Sequence, residues 1–368
     1  MNKSDHSKLG ASTNKFFIAL IALAINSVST VNAEAVFGPQ SSDKNIEWDF
    51  DFVERFDGLQ DWVAKLESEG NVGEEANDAL RLPKLADGSE SAWTFYSKWG
   101  ESSSTERWIG AYGDNRVWKG TKSAAIDLDN ENGPSRLGLF LPNGYKDKVH
   151  YFFMVNIPKN EWPTSCIEGS CQGGNTGVYT EGSDYSFFAS WKFMTFNYGC
   201  ETQNCWDHAP PNSGYSPVWH QISHIKQFNY TTFSSEGLTN IDPGLFIHEE
   251  SPAHNSDAWG FLARSNMNNL AGDWFGIEYS YTQTEDCKTI HNVWLYDKQG
   301  NEIKVVEDKE WDTEGCQPDY TWDFFFHGGN NSGTYHWGPT MKSVYYIDDV
   351  IIDDQRIGLK YFSFIGNE

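Results

Sequence analysis

Trp274-Phe-Gly-Ile-Glu-Tyr-Ser-Tyr281, His291-Asn-Val-Trp-Leu-Tyr-Asp297, Trp322-Asp-Phe-Phe-Phe-His-Gly-Gly-Asn330 and Ser343-Val-Tyr-Tyr-Ile-Asp-Asp-Val-Ile-Ile-Asp353 follow one another towards the end of the chain. Each alternates or runs apolar over the length of a strand and is bounded by Gly, Asn or Asp, which is how successive β-strands read. The same rhythm predicts strands at Phe50–Gly58, Trp93–Tyr96, Trp108–Tyr112, Ser123–Leu128, Arg136–Leu141, His150–Ile157, Ser186–Phe196 and Trp219–Lys226. The best helical pattern is Asp61–Gly70, with Trp62 and Leu66 on one face. A parallel sheet needs crossover helices, and none is visible, so the class is all-β with a sandwich or barrel architecture.

The N-terminus reads as a removable address. Lys3, Lys8 and Lys15 precede the apolar run Phe16–Ile25, and Val31-Asn-Ala33 offers a small-residue cleavage site. That run is shorter than the ~20 apolar residues that span a bilayer. The expected division is therefore a signal peptide over 1–33, a leader over 34–49 and one domain over 50–368, in a secreted protein, extracellular or periplasmic. No membrane partner is expected, and the chain is expected to be a monomer.

A net charge of −25 argues against nucleic acid, whose phosphates require a basic stripe. It also opposes long-range attraction of an acidic polymer, although salt screening leaves that decision to local Arg, Lys and His. Aromatic residues make up 15% of the chain and include 16 Trp, enough to supply stacking surfaces for sugars as well as a core. Six cysteines, an even number in an exported chain, favour disulfides. The simplest pairing joins Cys166 to Cys171, Cys200 to Cys205 and Cys287 to Cys316. No Cys-x-x-Cys supports a zinc site instead.

The closing strands carry a family resemblance. Trp274, Trp294, Phe326-His-Gly-Gly329 and Tyr346-Ile-Asp-Asp349 fall in the order found in the concanavalin A-like jelly-roll polysaccharide lyases, the alginate and glucuronan lyases among them. The resemblance implies a jelly-roll β-sandwich of two antiparallel sheets. It also implies β-elimination on a uronate-containing polysaccharide, with the site on alternate positions of one sheet. Glycan-binding modules share much of this closing half, so function has to be argued from the site.

A uronate lyase needs a group that neutralises the carboxylate, a base that takes the neighbouring C–H proton, and an acid for the leaving oxygen. On Trp219–Lys226, strand alternation puts His220, His224 and Lys226 on one face, and Trp219 and Gln221 on the other. Lys192 alternates with Trp191 and Phe193 and should turn away from them, as base or carboxylate neutraliser. Arg136 opens a strand after Gly133-Pro134. Tyr281, near a strand end, is a candidate acid, although it shares its face with Phe275, Ile277 and Tyr279. His327 is out of phase with Phe324 and Phe326. The expected catalytic set is thus Lys192, His220, His224, Arg136 and Tyr281, with Lys226, Gln221, His327 and Trp219 binding substrate.

Two alternatives stay open. A jelly-roll glycoside hydrolase would use paired carboxylates, for which Asp127-Leu-Asp-Asn-Glu131 is the nearest pattern. A carbohydrate-binding or adhesion protein would need the aromatics alone. No cofactor is required by either chemistry. A structural calcium, held by Glu54, Asp57, Asp348 and Asp349, is a separate expectation, and turn capping or pairing with Arg356 is the competing account of the last two.

Overall fold

The computed structural model describes residues 49–60, 62–63, 65–66, 85–89, 91–98, 108–111, 116–127, 135–157, 189–200, 219–228, 244–250, 262–266, 270, 272–313, 316–328, 331–332 and 344–366. All of these lie in the unit Phe37–Glu368. The signal segment and Cys166, Cys171 and Cys205 fall outside them.

Two nine-stranded sheets face each other. The first runs β15 (Glu302–Asp312), β14 (Lys288–Tyr296), β13 (Trp274–Gln283), β8 (Lys148–Asn156), β18 (Val344–Asp353), β6 (Ser123–Asp127), β5 (Trp108–Ala111), β2 (Trp62–Val63), with β1 (Phe52–Glu54) also on β18. The second runs β12 (Leu262–Asn266), β11 (Gly244–Glu250), β10 (Trp219–Phe228), β9 (Ala189–Tyr198), β16 (Trp322–Gly328), β7 (Ser135–Tyr145), β4 (Trp93–Lys98), β3 (Lys65–Leu66), with β17 (Asn331–Ser332) against β9. Among the described strands only β3–β4 is a parallel pair. This is the all-β class that the strand rhythm predicts and the jelly-roll β-sandwich that the resemblance implies.

The space between the sheets is filled by alternate side chains of both. Phe275, Ile277, Tyr279 and Tyr281 meet Phe196 and Phe325 from the opposite sheet, and the Phe196 ring lies 4.9 Å from Tyr279 and 4.6 Å from Tyr281. Each such buried ring contributes about 1.5–3 kcal/mol by leaving water. The continuous apolar run of β8 has a further cause. Tyr151, Phe153 and Val155 enter this core, while Phe152 and Met154 join a second cluster on the outer face of the first sheet. A C-terminal helix, α1 (Gly358–Ile365), packs into that cluster through Tyr361 and Phe362. A strand buried on both faces loses its alternation, which is why β8 does not read as half-polar.

One expectation is corrected here. Within Asp61–Gly70, residues Trp62–Val63 and Lys65–Leu66 form strands, one in each sheet, so the chain steps between sheets where a helix is expected. Backbone pairing at sheet positions wins over a short helical periodicity. The helix that does form lies at the C-terminus, where the buried Glu278 carboxylate accepts from the Ile357 and Gly358 amides and supplies the N-terminal partners that the local sequence lacks.

Candidate active site

β9 carries a bulge that decides what faces outward. Ser223 pairs with Met194 and His224 with Lys192, so Phe193 is the extra residue on β9. On one side of it Met194, Phe196 and Tyr198 point into the core, and Phe193 joins them, 5.0 Å from Tyr345. Thr195 and Asn197 alternate to the outer face, as does Lys192 beyond the bulge. All three are buried, Asn197 and Thr195 completely and Lys192 at 8% exposure.

Neighbouring strands complete a polar lane across this face. Asn197 is in register with His220 on β10 and with Phe324 on β16. Thr195 pairs with Ile222 and Phe326. Lys192 is opposite His224, which is in turn opposite His248 on β11. Lys226 pairs with Ser190 and Phe246. Arg136 pairs with Gly328 and Ser97, in the alternation phase opposite to the core residues Leu137, Leu139 and Leu141. Phe324 and Phe326 form an apolar wall here with Cys200 and Phe140. Cys200 is disulfide-bonded, and its expected partner Cys205 lies outside the described residues.

Within this apolar setting the Asn197 Oδ1 and Nδ2 and the Thr195 Oγ1 have no hydrogen-bond partner among the described residues. A buried polar group left so costs about 1–3 kcal/mol. Such groups are tolerated where function needs them. Asp323, at the irregularity in β16 between Trp322 and Phe324, adds a titratable group beside the wall. Its carboxylate accepts from the Cys200 amide at 3.3 Å and the Thr321 hydroxyl at 3.1 Å. Burial outweighs both and pushes it up to about 8, so it keeps a proton at neutral pH.

Four expected site residues go elsewhere. Tyr281 is fully buried between the sheets, its ring stacked on His291 at 4.4 Å and on Trp322 at 4.8 Å, and it cannot meet a glycan. His327 is also in the core. Its Nε2 lies 2.9 Å from the Tyr151 hydroxyl, and burial lowers it to about 3, so it stays neutral. It does alternate away from Phe324 and Phe326, but that pair faces outward and the histidine inward. Gln221 is fully buried in the phase of Ser223, whose hydroxyl meets Tyr279 of the first sheet at 2.9 Å. Trp219 shares that phase. Lys192, His220, His224, Lys226 and Arg136 occupy the other one.

The carboxylates offered for calcium do not converge. Glu54 accepts from the Phe56 amide and the Trp93 indole. Asp57 accepts from Thr121 and Lys122. Asp348 accepts from the Trp118 amide, and Asp349 faces Arg55 at 3.1 Å and the Tyr361 hydroxyl. Turn capping thus describes Asp348, while Arg356 pairs with Glu302 rather than with either aspartate. Among the described residues, ligand-type atoms gather instead at Asp51, Asp353 and Asp354. The Asp127–Glu131 pattern begins at the end of β6, in the opposite sheet from the Lys192–His224 row, and its remaining residues lie outside those described.

The predicted Cys287–Cys316 disulfide is present and ties the β13–β14 turn to the segment before β16. Asn197, His248 and Asp323 are candidate site residues that the sequence does not single out. The signal for His248 was available in Gly244-Leu-Phe-Ile-His-Glu-Glu250, which has strand composition.

No protein-family model and no curated protein matches the chain. Among solved structures it is similar to the alginate lyase Aly36B at 12% identity, over 81% of this chain and 98% of that one, with a TM-score of 0.40. It is similar to the alginate lyase vAL-1 from Chlorella virus at 11% identity, over 65% and 87% of the two chains, with a TM-score of 0.37. The binding domain of botulinum neurotoxin serotype C1 follows at 8% identity, over 73% and 50%, with a TM-score of 0.31.

Proposed function

We propose that this chain is a secreted polysaccharide lyase that cleaves a uronate-containing polysaccharide by β-elimination on the outer face of its second sheet. The observation that carries this reading is the register row Lys192–His224–His248, in the same outward phase as the buried Asn197, which lies further along β9 opposite His220. Directly opposed residues on neighbouring strands stand roughly 4.5–5.5 Å apart at Cβ, so Lys192, His224 and His248 sit side by side across three strands, with Asn197 and His220 in the same phase further along two of them.

The division of labour follows from the chemistry of the groups. The Lys192 ammonium hydrogen-bonds the uronate carboxylate and delocalises charge onto it as the neighbouring carbon loses its proton, while the Asn197 amide, further along β9, holds an adjoining sugar of the polymer. His224 is the base that takes that proton, because a neutral imidazole accepts near physiological pH. The electron pair forms the new double bond and the glycosidic C–O bond breaks. His220, in register with Asn197, is suited to protonate the leaving oxygen.

The test is incubation of the purified protein with alginate, glucuronan, ulvan and chondroitin while following ultraviolet absorbance of the unsaturated uronate. At least one polymer should yield it. Reducing ends on neutral glucans without unsaturated product would point to hydrolysis and to Asp127. Saturable binding without turnover would leave a glycan-binding protein.

A further inference from the structure

A second site lies away from this face, at one end of the sandwich where the two sheets part. A pocket of about 320 Å³ is walled by Lys146 and Asp147, the connection that carries the chain from β7 in the second sheet to β8 in the first. Its other walls are Tyr198 at the end of β9, the Gln283–Cys287 turn, and Cys316–Tyr320. That volume is near the lower end of small-molecule sites, about 300 Å³, which suits one ring rather than a chain of them.

The walls are held in place before any ligand arrives. The Cys287–Cys316 disulfide joins two of them. The Gln283 backbone N–H donates to the Asp147 backbone carbonyl at 2.7 Å, and the Tyr198 hydroxyl donates to the Gln317 backbone carbonyl at 3.3 Å. Tyr320 meets Tyr198 edge-on, with centroids 6.0 Å apart and planes at 84°, and stays half-exposed at the rim. Preorganisation of this kind lowers the ordering cost of binding.

The lining specifies a ligand class. A half-exposed tyrosine ring offers a face for the apolar side of a pyranose. Gln283 is anchored through Oε1, which accepts from Thr289 at 3.0 Å and Thr313 at 3.3 Å, and its Nε2 is buried behind the wall with no hydrogen-bond partner among the described residues. Asp147 and Glu285 supply acceptors for hydroxyls. Two carboxylates against the single Lys146 make the pocket net negative, which repels a uronate. We propose that this pocket binds one neutral hexopyranose unit, independently of the Lys192–His224 face.

The proposal is tested by calorimetric or NMR titration of the intact protein with methyl glucoside, methyl galactoside, methyl mannoside and glucuronate. Wild type should bind at least one neutral glycoside saturably, with a dissociation constant on the order of 1 mM, and glucuronate more weakly. Tyr320→Ala should weaken the neutral sugar about tenfold. Gln317→Trp, at an exposed lining position, should block it with the fold intact. Lys192→Ala should leave it unchanged, which separates this site from the lyase reading. Absence of saturable binding across the panel, a preference for glucuronate, or loss in Lys192→Ala with retention in Tyr320→Ala and Gln317→Trp would each overturn it.

Discussion

Asp323 and Glu278 are both buried carboxyls, yet they titrate in opposite directions, and the difference lies in their partners. Burial alone raises both. Glu278 offsets it with His150 Nδ1 at 2.7 Å, the Tyr296 hydroxyl at 2.7 Å and the amides of Ile357 and Gly358, and is held below the ordinary glutamate range. Asp323 has the Cys200 amide, the Thr321 hydroxyl and its own backbone, which offset burial less, and it rises to about 8. For Asp323 the folded state holds a proton that the unfolded state releases above about pH 4. Its contribution is therefore present at low pH and lost as pH rises towards 8. Asp323→Asn, which keeps the neutral shape, should flatten that decline in denaturant unfolding between pH 4 and 8 and exceed wild type above it. The opposite sign applies to Glu278, whose contribution is present at neutral pH and lost as pH falls below about 4. Glu278→Ala strands His150 and two helix amides and should cost about 3–5 kcal/mol by chemical denaturation at pH 7.

Elements differ in how openly the sequence announces them. β13, β14, β16 and β18 are legible because each keeps one face in the core and is bounded by turn residues. β15 is harder, since Glu302–Asp312 is an edge strand whose outward Lys and Glu blunt further pairing and dilute its apolar pattern. The helix α1 was hidden for another reason: its N-terminal partner is Glu278, distant in sequence, so no local cap marks its start. Gly358 is needed there because a Cβ would run into the Tyr296 ring. Gly358→Ala should lower the melting temperature by several degrees, at a cost of about 1–3 kcal/mol for the displaced ring. The Cys287–Cys316 bond closes a loop with a sequence separation of 29 residues. Replacing both by Ser should destabilise the fold by about 2–4 kcal/mol, read from the denaturation midpoint.

At the scale of the whole molecule, the sandwich separates scaffold from site. The closing strands that reveal the fold supply three strands of the first sheet, β16 of the second and much of the core, and two of their residues that look catalytic, Tyr281 and His327, are core. Alternation alone could not show this for His327, because phase says that it opposes Phe324 and Phe326 but not which of the two faces is inside. The face that carries Lys192, His220 and His224 was readable from alternation within β9 and β10. Asn197 was not, since its role depends on a bulge at Phe193 and on register with strands far along the chain. Removing the Lys192 ammonium should cut turnover about a hundredfold or more while leaving the fold intact.

The most direct measurement of the central claim is ultraviolet detection of unsaturated uronate from a polyuronate panel, run side by side with wild type, Lys192→Ala and Asn197→Leu at matched, folded concentration. The account predicts product from wild type on at least one polymer and a loss of about a hundredfold or more in both variants. Undiminished product from both variants, or no unsaturated product from wild type on any polyuronate, would contradict it.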